Sequence, residues 1–305
     1  MGKRALLFPG QGAQYVGMAK DLYANSELAS KLIREADEAL SASLSEIMFD
    51  GPVEELKKTN NTQPAIYLHS VVLMNLLGEF DFDMTAGHSL GEYTALAAAG
   101  SLDWLDALKL VRERGEAMLQ AGIEREGTMA AVIGLPPETV EKYCEEASSA
   151  GIVQPANFNS PGQIVISGSV AGVKKAMELC KENGAKIVKE LVVSGAFHSP
   201  LMASAGERLN KKLNETKFNN AAKPVYANVT AKPETEKDRI KIMLSKQLTS
   251  PVRWEETIRN MISDGADEFI EIGPGKVLQG LVKRIDSNVK FYGIDKFEDL
   301  EKAEL

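Results

Sequence analysis

The sequence predicts an α/β protein in which a mainly parallel sheet is interrupted by a small second unit. Three observations lead there. Short apolar strand signals alternate with helical stretches along almost all of the 305 residues. At Gly127 the order changes to strand, helix, strand, strand, helix, strand. After about Val193 the first pattern resumes.

Arg4 to Phe8 is a short apolar run ending in Pro9-Gly10-Gln11-Gly12, a buried strand followed by a turn. With so short an apolar run, MGKRALLFPGQG reads as a first strand and not as a signal peptide. Gly2 raises myristoylation, but Ala5 and Leu6 stand where that signal wants a hydroxyl residue. Helical patterns follow over residues 26–48 and 63–78, the second with an apolar majority from Ile66, Val71, Leu73, Met74 and Leu77. Met84 to Gly87 reads as a strand, and Leu90 to Ala99 as an alanine-rich helix closed by Gly100. The next helix, Trp104 to Ala121, carries Arg112 and Arg114. Parallel strands of this kind are expected to lie buried between helices.

From Gly127 the segments are strand Thr128–Gly134, helix Pro137–Ser149, strands Val153–Asn159 and Gln163–Ser167, helix Val170–Asn183 and strand Lys186–Val193. That is the β-α-β-β-α-β order of a ferredoxin-like unit, with Ser160-Pro161-Gly162 as the turn between its middle strands. Further strands are expected at Pro224–Asn228 and Glu268–Glu271, and a surface loop over the polar stretch Thr230–Asp238. The expected organisation is one core formed by residues 1–125 and 195–305, holding an insert at 126–194. There is no internal repeat or low-complexity segment.

Composition narrows the function. With 44% hydrophobic and 26% charged residues the chain is an ordinary soluble globular protein. A net charge of -8 without a basic tract argues against nucleic acid as a partner, although a small acidic partner could dock on a local basic patch. Cys144 and Cys180 are the only cysteines, which indicates no disulfide framework and fits a reducing compartment. No stretch is long and apolar enough to span a bilayer, so the expected location is cytoplasmic, away from membranes.

The chemistry centres on TAGHSLGEYTAL, residues 85–96. A Gly-x-Ser-x-Gly sequence between strand and helix allows a sharp turn that lifts the Ser89 hydroxyl above the sheet. The helix that follows points free N–H groups and its positive end toward the serine, where an oxyanion would form. The plain alternative is a glycine-rich turn with a helix-capping serine. A serine hydroxyl needs a base to attack, and only three histidines exist. His69 lies in an apolar helical pattern and reads as structural; His88 adjoins the serine and is expected to face away through the turn. His198, in the loop SGAFHSP, is the base by elimination. The group that would orient it is not readable: Asp264, Asp267 and Glu271 follow without a motif, and a backbone carbonyl could do the same work.

Eight stretches occur in order along the chain: LLFPGQGAQ, NTQPA, GHSLGEYTAL, Arg114-Gly115, NFNSPGQIVISG, GAFHSPLM, QLTSPVRW and EIGPGKVLQGLVKRI. Together they resemble the malonyl-CoA:acyl carrier protein transacylases, the stand-alone acyltransferases of bacterial fatty acid synthesis. The resemblance implies an α/β-hydrolase-like core with the ferredoxin-like subdomain inserted and the active site between them. It implies Ser89 as the acylated nucleophile, His198 as its base, and the N–H groups of Gln11 and Leu90 as the oxyanion hole. Gly10-Gln11-Gly12 is thereby better read as that hole than as a dinucleotide loop, since Tyr15 stands where a third glycine would be. Arg114 would pair with the malonyl carboxylate, which suits a planar guanidinium, and Arg112 is the obvious rival. Gln247 would orient His198 through its main-chain carbonyl. Gln63, Met118 and Asn157 would line the pocket, and Phe197 matches the malonyl-selecting form of its loop.

The implied reaction is ping-pong transfer of malonyl from malonyl-CoA to the phosphopantetheine thiol of acyl carrier protein, through malonyl-Ser89, supplying fatty acid or polyketide synthesis. No cofactor and no metal is called for, and the scattered histidines and cysteines offer no ligand spacing. Lys186, Lys189, Lys283 and Arg284 are the candidate docking residues for the acidic carrier protein. The chain is expected to act as a monomer. A serine esterase or thioesterase would share the same elbow and differ only in the acceptor; a non-catalytic binding protein that kept the fold would not be acylated at all.

Overall fold

The computed structural model describes residues 2–302. Its strands are β1 (Lys3–Phe8), β2 (Met84–Gly87), β3 (Thr128–Ile133), β4 (Val153–Ser160), β5 (Gln163–Gly168), β6 (Ile187–Glu190), β7 (Val225–Tyr226), β8 (Pro233–Glu234), β9 (Ala266–Ile272) and β10 (Lys290–Ile294). They form a six-stranded sheet in the order β10-β9-β1-β2-β7-β8 and a four-stranded sheet in the order β4-β5-β3-β6. The first is parallel throughout except for the edge strand β8, which runs antiparallel to β7. The second is antiparallel.

β1 lies at the middle of the large sheet because Ala5, Leu6, Leu7 and Phe8 are apolar on both faces, and all four are buried. Its register with β2 sets Phe8 opposite Gly87. The loop from Pro9 and the turn at His88-Ser89 therefore leave the sheet side by side at its carboxyl edge, where open α/β sheets bind ligands.

The small sheet shows the strand period directly. Ala130, Val132, Ile164 and Ile166 face a core shared with Val140, Cys144, Val173, Ala176 and Cys180 from the helices Pro137–Ala147 and Val170–Glu182. The alternate residues Met129, Ala131 and Val165 face a cavity between the two sheets. Both cysteines are buried, and burial pushes their thiols up, Cys144 to about 12 and Cys180 to about 11. The two sheets are stitched where β4 meets Val252: Phe158 N–H donates to Val252 O (2.9 Å) and Val252 N–H to Ala156 O (2.8 Å).

Three expectations are corrected. The helical stretch 26–48 is two helices, Glu27–Leu40 and Leu44–Asp50, broken where Ser41 takes a left-handed conformation (φ 50°). The 230–238 stretch is not simply a surface loop: Pro233–Glu234 pairs with β7, and Ala231 is buried. The last strand of the small sheet is only Ile187–Glu190, so Lys186 precedes it, and beyond it Leu191 and Val193 border the cavity while Val192 is exposed. β10 had no apolar alternation strong enough to predict it; its edge position leaves most of it only half-buried. No helix among the described residues is long and apolar enough to cross a membrane.

Candidate active site

The turn at Ser89 is held in a conformation that few residues adopt. Ser89 has φ 52°, a left-handed backbone that a non-glycine residue keeps only when its surroundings enforce it. The flanking glycines are forced by close approach. A Cβ on Gly87 would sit 1.9 Å from the Gly91 carbonyl carbon, and one on Gly91 would sit 2.0 Å from Phe8 O. Hydrogen bonds fix the rest. Ser89 N–H donates to Asn228 Oδ1 (2.7 Å), Asn228 Nδ2 donates to Gly87 O (2.7 Å), and Gln247 Nε2 donates to Ser89 O (3.0 Å).

Ser89 Oγ lies 2.8 Å from His198 Nε2. His198 also has a left-handed backbone, φ 57°, and is 3% exposed. Its Nδ1 faces the carbonyl oxygens of Gln247 (2.9 Å) and Ser250 (3.2 Å), so Nδ1 carries the proton and Nε2 accepts from the serine. Burial first, then the Arg114 charge, pushes the imidazole down to about 3. It is therefore neutral and able to take a proton. The carboxylates left open by the sequence lie elsewhere: Asp264 accepts from Tyr226 Oη, and Glu271 accepts the Leu278 and Gln279 N–H groups (both 3.0 Å) at the start of the helix Val277–Ile285. Among the described residues, the backbone amides of Gln11 and Leu90 have no acceptor.

Arg114 is fully buried. It gets inside because its helix, Trp104–Glu124, packs very close to the helix Thr59–Leu77: a Cβ on Gly115 would meet Asn60 Cα and Thr59 O at 2.8 Å. Across that contact Arg114 Nη1 donates to Gln63 Oε1 (2.6 Å), and Gln63 Nε2 donates in turn to Met118 Sδ (3.2 Å). Nη2 donates to Ser89 Oγ (3.0 Å) and Gln247 Oε1 (3.0 Å), and the guanidinium lies 5.5 Å from the Tyr93 ring centroid. Its Nε is buried without a partner, and no carboxylate among the described residues forms an ion pair with it. Arg112 is the opposite case: it pairs with Glu116 (2.8 Å) and donates to Asn60 O and Asn61 Oδ1 (both 2.9 Å).

A cavity of about 300 Å³ is bordered by Gln11, Gln63, Ser89, Leu90, Arg114, Met118, Asn157, Phe197 and His198. Nine sequence-predicted residues thus meet there, and Gln247 stands directly behind them. His88 turns its ring to Asn159 Oδ1 (2.9 Å) and Trp254 (centroids 5.4 Å apart), but it also borders the cavity, so it does not face wholly away. Lys186, Lys189, Lys283 and Arg284 are exposed and do not border it; Arg284 Nη1 donates to Gln163 Oε1, whose side chain lies on its rim.

Sequence reasoning did not single out Asn228, Glu92, Ser250 or Gln154, whose Nε2 donates to His198 O (2.9 Å). Glu92 is 3% exposed, and its Oε2 accepts from Gln247 Nε2 (2.7 Å) and Asn228 N–H (3.1 Å). Burial pushes its carboxyl up to about 7, against the pull of those bonds and of Arg114. Its place inside the GHSLGE stretch was the available signal; Asn228 had none.

The arrangement can deprotonate a hydroxyl, stabilise an oxyanion at two amides, and hold an anionic group against a buried cation. The chain matches the acyl transferase domain family over residues 5–294. It is 48% identical to the malonyl CoA-acyl carrier protein transacylase of Bacillus subtilis, covering 99% of this chain and 96% of that one. Among solved structures, an acyl carrier protein S-malonyltransferase from Vibrio cholerae superposes with a TM-score of 0.94 at 43% identity, over 98% of this chain and 99% of that one. A malonyl-transacylase solved in complex with its type II PKS acyl-carrier protein gives a TM-score of 0.95 at 39% identity, over 99% and 98%. With its fold, its serine elbow and these relatives taken together, the chain belongs to the malonyl CoA-acyl carrier protein transacylase family of acyltransferases.

Proposed function

We propose that this protein transfers the malonyl group of malonyl-CoA to the phosphopantetheine thiol of acyl carrier protein, by a ping-pong mechanism through malonyl-Ser89. The observation that carries the reading is Arg114: a fully buried guanidinium 3.0 Å from Ser89 Oγ, with an unpartnered Nε and no carboxylate in direct contact among the described residues. A buried cation with no anion touching it can still take a direct charged partner on its cavity side, and malonyl brings a carboxylate to the acyl end of its thioester.

In the first half-reaction His198 Nε2 takes the Ser89 proton as Oγ attacks the thioester carbonyl. The oxyanion is stabilised by the N–H groups of Gln11 and Leu90. The carbonyl re-forms, the C–S bond breaks, and His198 returns its proton to CoA, which leaves as a thiol. In the second half the carrier's pantetheine thiol gives its proton to His198 and attacks malonyl-Ser89 along the reverse path, restoring the hydroxyl. The Gln247 carbonyl keeps His198 in the productive tautomer; Gln63, Met118, Asn157 and Phe197 shape the acyl pocket. Lys186, Lys189, Lys283 and Arg284 receive the acidic carrier protein.

In fold terms we read residues 1–125 and 195–305 as an α/β-hydrolase-like core and residues 126–194 as a ferredoxin-like subdomain. The strand order β4-β5-β3-β6 supports the second term. We place the protein in the cytoplasm as a monomer, serving fatty acid or polyketide synthesis.

Intact-mass analysis after mixing with malonyl-CoA tests this. Wild type is expected to gain one malonyl group and lose it on addition of holo acyl carrier protein, while Ser89→Ala gains none. Release as free malonate at the same rate with or without carrier would make the protein a hydrolase instead.

A further inference from the structure

Arg114 and Glu92 are a buried cation and a buried carboxylate that do not touch. One side-chain amide spans them: Arg114 Nη2 donates to Gln247 Oε1 at 3.0 Å, and Gln247 Nε2 donates to Glu92 Oε2 at 2.7 Å. The amide dipole has its oxygen on the cation and its N–H on the anion, so both ends gain. The cavity lies on the Arg114 side of this bridge, and Glu92 does not border it. The titratable groups around the bridge are Arg114 on the helix Trp104–Glu124, Tyr93 on Glu92's own helix, His198 on the loop after β6, and His88 in the elbow. Among the described residues, Arg114 is the cation whose charge pulls Glu92 toward ionisation. A carboxylate bound to Arg114 in the cavity and an ionised Glu92 behind it would be two anions sharing one cation.

We propose that Glu92 is a positioning residue that sets acyl specificity: it is the counter-charge of Arg114 before substrate binds, and it takes up a proton when a carboxylated acyl group occupies Arg114. This rests on the malonyl-transfer reading above. The balance is one solvent proton added to the Glu92 carboxylate, giving a carboxylic acid; acyl transfer to Ser89 with release of CoA as a thiol has no net proton of its own. An uncharged acyl group such as acetyl leaves Glu92 as it was. Because burial already holds this carboxyl near neutrality, at about 7, a second anion on Arg114 is enough to keep it protonated.

The test compares pH profiles of kcat/KM for malonyl-CoA and acetyl-CoA. Above about pH 7, wild type has Glu92 ionised before binding and must protonate it to accept malonyl. The malonyl profile is therefore expected to fall about tenfold per pH unit there, and the acetyl profile is not. Glu92→Gln keeps an oxygen for the Gln247 and Asn228 donors but cannot titrate, so its malonyl profile is expected to lose the falling limb. A measurement on wild type alone stands beside it: in weak buffer with a pH indicator, loading by malonyl-CoA should take up protons relative to loading by acetyl-CoA, per acyl-enzyme counted by intact mass. Parallel profiles for the two substrates, a limb that persists in Glu92→Gln, or equal proton counts would overturn the proposal. If wild type is not labelled by malonyl-CoA at all, the transfer reading itself falls; labelling with a pH-independent malonyl-to-acetyl ratio overturns only the role of Glu92.

Discussion

On the function proposed above, Arg114 would concentrate the specificity of the site in one side chain. Its Nε lacks a partner while both its Nη atoms are engaged, so it is oriented before any substrate arrives. Arg114→Ala is expected to cut malonyl transfer by about 2–5 kcal/mol in transition-state terms, the range for stranding a buried charge. Acetyl transfer should fall far less, and Arg114→Lys should rescue only in part, because a point charge cannot make a two-pronged contact. Arg112→Ala should leave the malonyl-to-acetyl ratio of specificity constants unchanged, since Arg112 is already paired with Glu116. Equal losses for both substrates in Arg114→Ala would make it a structural arginine. His198 supports a second residue-scale expectation. Its imidazole titrates near 6.5 in an unfolded chain and at about 3 in the fold, so the unfolded chain binds the extra proton between those values. Stability from this group is complete above about pH 6.5 and is lost as pH falls toward 3. The slope of unfolding free energy against pH between 4 and 6 should therefore be shallower in His198→Gln, by up to about 1.4 kcal/mol per pH unit. His198 was legible by elimination among three histidines, and Arg114 through the motif series. Asn228 was not: an asparagine at the end of an expected strand has no spacing that betrays its bonds to Ser89 and Gly87, 139 and 141 residues away.

At the scale of the element, the serine turn is a strand and a helix brought closer than side chains allow. Gly87→Ala and Gly91→Ala each place a Cβ within 2.0 Å of backbone, which cannot move as the end of a flexible side chain can. Each is expected to lose about 1–3 kcal/mol of stability or more and to abolish labelling by malonyl-CoA. Gly206→Ala is the matched control: it lies in the helix Ala203–Glu215 with nothing within 4 Å of the added methyl, and should gain about 1 kcal/mol. Denaturant midpoints and intact mass for the three variants decide it; a Gly87→Ala enzyme as stable and as readily labelled as wild type would remove close approach as the reason for the motif. The β-α-β-β-α-β order of the insert was readable because β3 and β5 have apolar alternation and each helix its own core face, whereas the mostly exposed β6 was the strand with misplaced bounds. The break at Ser41 was not, because a serine in a left-handed conformation has no compositional mark, and neither was the two-residue edge strand β8.

Across the whole molecule, the site belongs to neither sheet alone. Ser89 and Arg114 come from the large-sheet side, while Asn157, Met129 and Val165 come from the small sheet. Lys283 and Arg284 end the helix whose Leu278 and Leu281 border the cavity, and Arg284 reaches Gln163 at the start of β5. On the docking proposed above, a carrier protein would deliver its arm to Ser89 past this rim, where local positive charge would attract it to an enzyme of net charge -8. Reversing both residues to Glu is expected to raise the apparent KM for carrier protein and to leave acylation by malonyl-CoA as it is. Unchanged carrier kinetics would clear these two positions of a docking role.

The buried cysteines have a practical consequence. Both thiols lie in the core of the small sheet's helices, and both tryptophans, Trp104 and Trp254, lie outside residues 126–194. Thiolates alone react quickly with chromogenic disulfides, and these two are kept as thiols out of contact with solvent. The native enzyme should therefore be colourless with such a reagent, so released CoA can be followed continuously without a protein blank. Under rising denaturant the same colour becomes a clock for opening of the small sheet, while tryptophan emission reports the large one. With its own separate core, the small sheet is expected to release its thiols first. Coincident transitions would instead mean that the two sheets open as a single cooperative body.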